Sequence, residues 1–195
     1  MRTGIVQVQP NKSTEYTLRQ IESKDWKAIL RIERNEFDPD QQLSKLELYN
    51  LLRHQNVIGV VASEGNKIAG FALLGAEQIG ENQKLGHILD ICVAECARNN
   101  GTGKRMLNDL MTQGRALNIH DYYLEVEESS PAAKLYTQLG FKDVRRIDNC
   151  YGEGKHGRLM IQPKPQSSLD ELTSLILEVR PHVRKYYFYG IPIRL

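Results

Sequence analysis

The sequence predicts a mixed α/β fold in which a sheet is covered by helices. Three observations carry that expectation. Two apolar runs, Val57 to Ala62 and Ile68 to Leu74, flank Gly65-Asn66, a pair suited to positive φ, so they form a hairpin. Helical and strand-like periodicities alternate around that hairpin, which excludes an all-β barrel and a helical bundle. A further apolar run, Leu85 to Val93, passes straight into a glycine-bearing stretch and then a helix. With 195 residues, 41% of them hydrophobic, the chain holds one core with room for an appendage.

The elements follow in order. Residues up to Glu15 read as a mobile leader, and Tyr16 to Ile21 alternates with period two, a short strand. Ser23 or Asp25 caps a helix whose apolar face carries Trp26, Ile29, Leu30 and Phe37. Ser44-Lys45-Leu46-Glu47 has reciprocal capping spacing, opening a second helix with Leu46, Tyr49 and Leu52 as its apolar stripe. After the hairpin and the run to Val93, a periodic helix places Met106, Leu107, Leu110, Met111 and Leu117 on one face. Tyr122 to Val126 is a short strand. Pro131 suits the first turn of a helix running to Leu139, with Gly140 at C′. Phe141 to Ile147 and Arg158 to Gln162 close the sheet. A linker with Pro163 and Pro165 leads to a second capping box, Ser168 to Glu171, and a helix bearing Leu169, Leu172, Leu175, Ile176 and Val179. Pro181 ends or kinks that helix, and Tyr186 to Ile191 is strand-like and aromatic, expected to lie on an exposed sheet edge of this chain or a partner.

Charge and composition exclude several functions. A formal charge of +2 gives no pull toward nucleic acid or a membrane surface. Ile68 to Ala76, the richest apolar stretch, falls far short of the roughly 20 residues a membrane span needs. Met1 to Tyr16 shows no apolar leader block. Three cysteines, Cys92, Cys96 and Cys150, do not make a disulfide framework, and Cys92 and Cys96 lack a second ligand pair for a metal. A cytoplasmic protein without a metal is the expectation. His54, His87, His120 and His182 read as surface or turn histidines.

The chemistry concentrates in the stretch from Val93 to Arg105. A strand ends, Gly101 and Gly103 follow, and a helix begins, so unpaired amides at the helix start point toward an anion. Arg98, Lys104 and Arg105 add positive charge there. A P-loop is excluded because Arg98 and Arg105 stand where Gly and Ser or Thr belong. A dinucleotide fingerprint is excluded by Met106 in place of its third glycine. Alone, the motif fits a phosphate cradle and a plain strand-to-helix turn equally.

The downstream residues add specificity. Arg98-x-x-Gly101-x-Gly103, then Leu124-Glu125-Val126, then Ser129-Ser130-Pro131 to Tyr136, then Leu139-Gly140-Phe141 resembles the GNAT superfamily of acyl-CoA N-acetyltransferases. Within it the chain is most similar to the ribosomal-protein alanine N-terminal acetyltransferases, whose terminal stretch is echoed by Cys150 to Met160. The resemblance implies a mixed, mostly antiparallel sheet splayed at the acetyl-CoA site and flanked by helices. It covers residues 15–162 as the catalytic domain and leaves 163–195 as a C-terminal extension.

By the same resemblance, the pyrophosphate of acetyl-CoA would rest on Arg98, Asn99, Asn100, Gly101, Thr102, Gly103 and Lys104, with Ser129 nearby. The pantetheine would run along Ile91, Cys92 and Val93, and the Val93 amide would polarise the thioester, an effect of about 2–4 kcal/mol. Attack requires a neutral amine. Deprotonation at neutral pH costs roughly 1.4 kcal/mol for an α-amine and about 4–5 kcal/mol for a lysine. Glu125, in an apolar and tyrosyl strand, is the implied base, the alternative being a structural carboxylate bonded to a neighbouring strand. Tyr136 is the implied acid for the leaving thiolate, the alternative being an aromatic that packs a short helix.

For the acceptor, Glu36, Asp38, Asp90, Tyr151 and His156 are the candidate contacts, with Glu33 and Asp40 in the same acidic group. That group reads equally as a solvated helix end. Lys155 and His156 stand where the subgroup has acidic residues, and Ser129 replaces its usual Asn. The expected activity is acetyl transfer to a primary amine, a protein N-terminus or lysine being favoured over a polyamine or aminoglycoside. A non-catalytic acyl-CoA-binding module is the third reading. The extension is expected to cover the acceptor groove or to form a homodimer.

Overall fold

The computed structural model describes residues 15–39, 42–79, 83–179, 186–188 and 191–193. Seven strands form the main sheet: β1 (Thr17–Gln20), β2 (Val57–Glu64), β3 (Lys67–Gln78), β4 (Lys84–Val93), β5 (Ile119–Glu127), β6 (Lys142–Ile147) and β7 (Gly157–Gln162). Their spatial order is β1-β2-β3-β4-β5-β7-β6. Every neighbouring pair is antiparallel except β4 and β5, which run parallel. Parallel neighbours need a crossover, and α3 (Thr102–Ala116) supplies it.

Strand alternation sends successive side chains to opposite faces. On one face, α1 (Trp26–Glu36) and α2 (Lys45–Arg53) bury Ile29, Leu30, Leu48 and Leu51 against Val61, Phe71, Leu73 and Leu89. On the other, α3 sets Met106, Leu107, Leu110 and Met111 against Val60, Ala72, Leu74 and Tyr122, joined by Tyr136 of α4 (Ala133–Gln138). Gly86 makes this packing feasible, since a Cβ there would lie 2.5 Å from the Tyr122 ring.

Helix α5 (Leu169–Val179) packs Leu172 and Ile176 on Ile79, Leu85, Tyr123, Leu159 and Ile161, and Ser168 caps it by accepting from the Glu171 amide at 3.3 Å. Among the described residues, the aromatic segment does not join an edge of this chain's main sheet, the first of its two expected places. β8 (Tyr186–Phe188) pairs with β9 (Ile191–Ile193) in a separate two-stranded sheet rather than lying on the main sheet's edge. The leader before Glu15, and Asp40, Pro181 and His182, fall outside the described residues.

Two expected apolar stripes are also corrected. The capping box of α2 forms as expected, with Ser44 accepting from the Glu47 amide at 3.1 Å. Yet Leu46 is 68% and Tyr49 52% exposed, while Leu48 and Leu51 are buried. Leu48, Leu51 and Leu52 form an i, i+3, i+4 aliphatic stripe, wider than the one through Leu46, and the sheet takes that side. Leu117 lies just past the end of α3 and is exposed.

Candidate active site

The site begins where two strands part. β4 and β5 stay paired only as far as His87 opposite Tyr123, after which β5 continues with β7. Beyond that point the antiparallel ladder with β3 holds Cys92 opposite Phe71, and the Ala94 amide bonds the Ala69 carbonyl at 2.8 Å. Alternation of hydrogen-bonded pairs then turns the main-chain groups of Ile91 and Val93 away from β3, into the opening. A bulge at Leu89, where β3 residues Leu73 and Leu74 oppose Asp90 and Ile88, re-aims the strand just before it. The expected splay is present. Cys92 contributes neither backbone nor side chain to it: its amide and carbonyl belong to the ladder, and its thiol is buried with α1 and α2, where desolvation raises its pKa.

At the strand's end a short 3-10 turn, Glu95–Ala97, leads through Asn99 (φ +61°) and Gly101 (φ +79°) into α3. Only glycine and a few short polar residues take such angles readily. Among the described residues, the amides of Asn99, Asn100, Gly101, Gly103 and Lys104 donate to no protein acceptor. Two residues of the expected set have their donors engaged. The Thr102 amide bonds Asn100 Oδ1 at 3.2 Å, with the Thr102 hydroxyl on the same oxygen. Arg98 bonds Glu95 O through its amide, Val93 O through Nε at 2.9 Å, and Glu36 through Nη2. It ties the strand end to α1 instead of facing the loop. Arg105 likewise reaches back to Tyr16 O at 2.9 Å.

A cavity of about 420 Å³ lies beside the splay. Its walls come from the end of α1 (Glu33, Glu36, Phe37, Asp38), from Ile88 to Ile91, from Leu124 to Glu127, from Ser129 to Ala132, and from Tyr136 and Tyr151. Eight expected site residues therefore meet there: Glu36, Asp38, Asp90, Ile91, Glu125, Ser129, Tyr136 and Tyr151. His156 does not line it. Its Nδ1 accepts from the Asn149 amide at 3.3 Å, and its carbonyl accepts from the Glu128 amide, so it closes the β6–β7 connection.

The acidic rim is charge-compensated. Arg98 pairs with Glu36, and Lys155 Nζ lies 3.0 Å from Asp38 Oδ2, joining the β6–β7 connection to the end of α1. Deeper in, Glu33 is 1% exposed and accepts from the Leu43 amide at 2.7 Å. It also hydrogen-bonds Asp90. Burial raises both carboxyl pKa values, that of Asp90 most, with the adjacent Glu33 charge adding to it. Of the two, Asp90 is the harder to ionise.

Glu125 and Tyr136 face the same cavity from β5 and α4. Tyr136 is 5% exposed and meets Phe141 edge-on, ring centroids 6.0 Å apart. Desolvation, then the charge of Asp90, raises its pKa, so the hydroxyl stays protonated and is available as a donor. Burial and then Glu125 raise that of Tyr151. Glu125 Oε2 lies 2.9 Å from His87 Nε2.

That last contact corrects the reading of His87 as a surface or turn residue, because the imidazole is fully buried. Strand parity was the available signal: His87 shares the inward face of β4 with Leu85 and Leu89. His120 is exposed and His54 sits in the turn before β2, as expected. Among the described residues no group of three or more His, Cys, Asp or Glu side chains is placed to hold a metal ion, and no helix is long and apolar enough to cross a membrane.

Residues 18–141 match the Acetyltransferase (GNAT) family. An N-alpha-acetyltransferase of Sulfurisphaera tokodaii is 30% identical over 162 residues, covering 78% of this chain and 95% of the relative. The ribosomal protein bS18-alanine N-acetyltransferase of Haemophilus influenzae is 27% identical over 141 residues, covering 72% and 91%. The structure of the ribosomal-protein-S18-alanine N-acetyltransferase of Escherichia coli shares the fold, with a TM-score of 0.64 at 21% identity over 80% of this chain and 97% of that one. The family match runs from β1 to just past α4 and so takes in the parted strands, the open start of α3 and every lining residue of the cavity except Tyr151. The chain belongs to the acetyltransferase (GNAT) family.

Proposed function

We propose that this N-acetyltransferase moves acetyl from acetyl-CoA to the α-amine of a protein N-terminus by direct transfer in a ternary complex. One juxtaposition carries the reading: the Ile91 and Val93 main-chain groups turn into the splay between unbonded amides at the start of α3 and a cavity faced by Glu125 and Tyr136. The names of the archaeal and bacterial relatives support a protein terminus as acceptor.

The residues fit the donor. The amides of Asn99, Asn100, Gly101, Gly103 and Lys104, the helix dipole and the Lys104 ammonium would hold a diphosphate. A Cβ at Gly103 would come within 3.3 Å of Leu135, so the glycine keeps the approach open. Bound there, acetyl-CoA supplies an acyl group activated as a thioester. The Val93 amide would donate to the acyl oxygen as charge develops on it, which is where a preorganised donor acts most strongly.

Glu125 would take one proton from the acceptor's ammonium, leaving a neutral amine. As the amine forms its bond to the acyl carbon and the carbon–sulfur bond breaks, Tyr136 would protonate the departing thiolate. Tyr136 regains a proton from the nitrogen by way of water, and one proton is released for each ammonium consumed. The acidic rim favours a peptide over a small polycation, because Glu36 and Asp38 already carry basic partners in Arg98 and Lys155. We further assign catalysis to residues 15–162, place the protein in the cytoplasm, and assign the 163–195 extension to a homodimer contact.

The test pairs a thermal shift with CoA and an acceptor screen by thiol release, comparing N-terminal peptides, polyamines and aminoglycosides. Stabilisation by CoA and turnover on peptides are expected. Absence of stabilisation at saturating CoA, or turnover confined to the small amines, overturns the reading.

A further inference from the structure

We infer that Asp90, backed by Glu33, reads the side chain of the acceptor's first residue and selects a hydroxyl, serine or threonine, over an apolar residue of the same size. The inference rests on the proposed transfer to a protein N-terminus and names its substrate class. Both carboxyl groups line the cavity. Glu33 comes from α1 and accepts from the Leu43 amide at 2.7 Å, and Asp90 comes from β4 and hydrogen-bonds Glu33. The rim carboxylates Glu36 and Asp38 have basic partners in Arg98 and Lys155. Asp90 has only its neighbour carboxyl and the main chain beside it.

The location follows from the parting of β4 and β5. Glu125 lies two residues beyond Tyr123, which packs beneath α5, and Asp90 meets Glu33 projecting from α1. Helices α5 and α1 cover Leu85 and Leu89, residues of equal parity on β4, so both carboxyl groups stand on one side of the sheet. Tyr136 belongs to the cluster on the opposite side, under α3. An amine at Glu125 therefore meets the acyl group through the opening. The first side chain, which starts two bonds from that nitrogen, stays on the side walled by Asp90 and Glu33. Phe37 and Leu89 wall the same side, which suits one neutral hydroxyl better than a second ammonium.

Two carboxyl groups hydrogen-bond only when one of them carries a hydrogen, so the pair holds a proton between its members and the remaining lone pairs accept. A hydroxyl on the first residue donates to Asp90. A methyl group in its place strips water from Asp90 and returns no hydrogen bond, the loss by which a polar site rejects an apolar isostere. Keeping two carboxyl groups in a wall shared with Phe37, Ile88 and Leu89 costs desolvation that apolar residues would avoid. A ligand that donates to them gives that cost a use.

The experiment measures kcat/KM by thiol release on peptides identical from the second residue on and beginning with serine, threonine, 2-aminobutyrate or lysine. On the unsubstituted protein, serine should exceed 2-aminobutyrate, which carries a methyl group in place of the hydroxyl, by about tenfold or more. In Asp90→Leu that preference should disappear. In Asp90→Asn, whose amide oxygen still accepts, it should be largely kept. The ratio of two substrates on one variant is unaffected by partial loss of folded enzyme. Equal values for serine and 2-aminobutyrate, or the highest value on lysine, overturn this inference and leave transfer to N-termini standing. A folded Asp90→Leu that keeps the serine preference overturns the assignment to Asp90. Where that variant fails to fold, the serine and 2-aminobutyrate pair on the unsubstituted protein still decides. Acetylation of polyamines with no turnover on any of the peptides overturns the proposed function and this inference together.

Discussion

Asp90 of β4 and Glu33 of α1 are hydrogen-bonded in the cavity wall, and burial, with the adjacent Glu33 charge, makes the Asp90 proton hard to remove. The raised pKa of Asp90 means that the folded protein binds this proton more tightly than the unfolded chain does. Its contribution to stability is complete below the ordinary carboxylate range and is lost as pH rises through the raised value. Asp90→Asn keeps a donor toward Glu33 and carries no charge at any pH. The Tm of the variant relative to the unsubstituted protein should therefore rise as pH climbs from the ordinary carboxylate range through the raised pKa of Asp90. A constant difference across that interval would show that Asp90 ionises as readily in the folded protein as in the unfolded chain.

Tyr136→Phe removes one hydroxyl from a cavity wall and leaves the ring's edge contact with Phe141 in place. If that hydroxyl protonates the thiolate, kcat should fall about 10²-fold or more, while the thermal shift with CoA is retained. Unchanged turnover would reduce Tyr136 to packing, the alternative its sequence position left open.

What the sequence made legible follows from where the physics is local. Capping of α2 by Ser44, the glycine turn that opens α3 and the hairpin around Gly65 depend on residues a few positions apart, and each is present. The ends of the Glu125 contact lie 38 residues apart in sequence, and only the β4–β5 register brings them together. Pattern alone could not reveal it. The engagement of Arg98 with Glu36 is likewise a tertiary event, spanning 62 positions, and it withdraws a cation that the motif had assigned to the loop. Cys92 was misplaced for a different reason: ladder alternation decides which residues of a strand face a splay, and that parity depends on the bulge at Leu89.

The buried side of α2 is open to a direct comparison. Leu48 is fully buried and Leu46 is 68% exposed, two residues apart on the same helix. Leu48→Ala should cost about 2–5 kcal/mol through lost burial and a cavity. Leu46→Lys should change stability by less than about 0.5 kcal/mol. Urea denaturation of both variants measures the contrast, and similar losses would mean that the helix presents the other stripe to the sheet.

The strictest test of the anion-binding loop uses backbone angle alone. Gly101 has φ +79°, and nothing lies within 4 Å of where its Cβ would be. A substitution there meets no steric contact and acts only through the left-handed conformation. A valine in that region is strained by more than the roughly 1–2 kcal/mol typical of L residues, whereas asparagine visits it readily. Gly101→Val should therefore turn the neighbouring amides out of register and abolish most of the thermal shift with CoA, and Gly101→Asn should keep it. Equal stabilisation of the two variants by CoA would mean that the amides from Asn99 to Lys104 are not the cofactor's anchor.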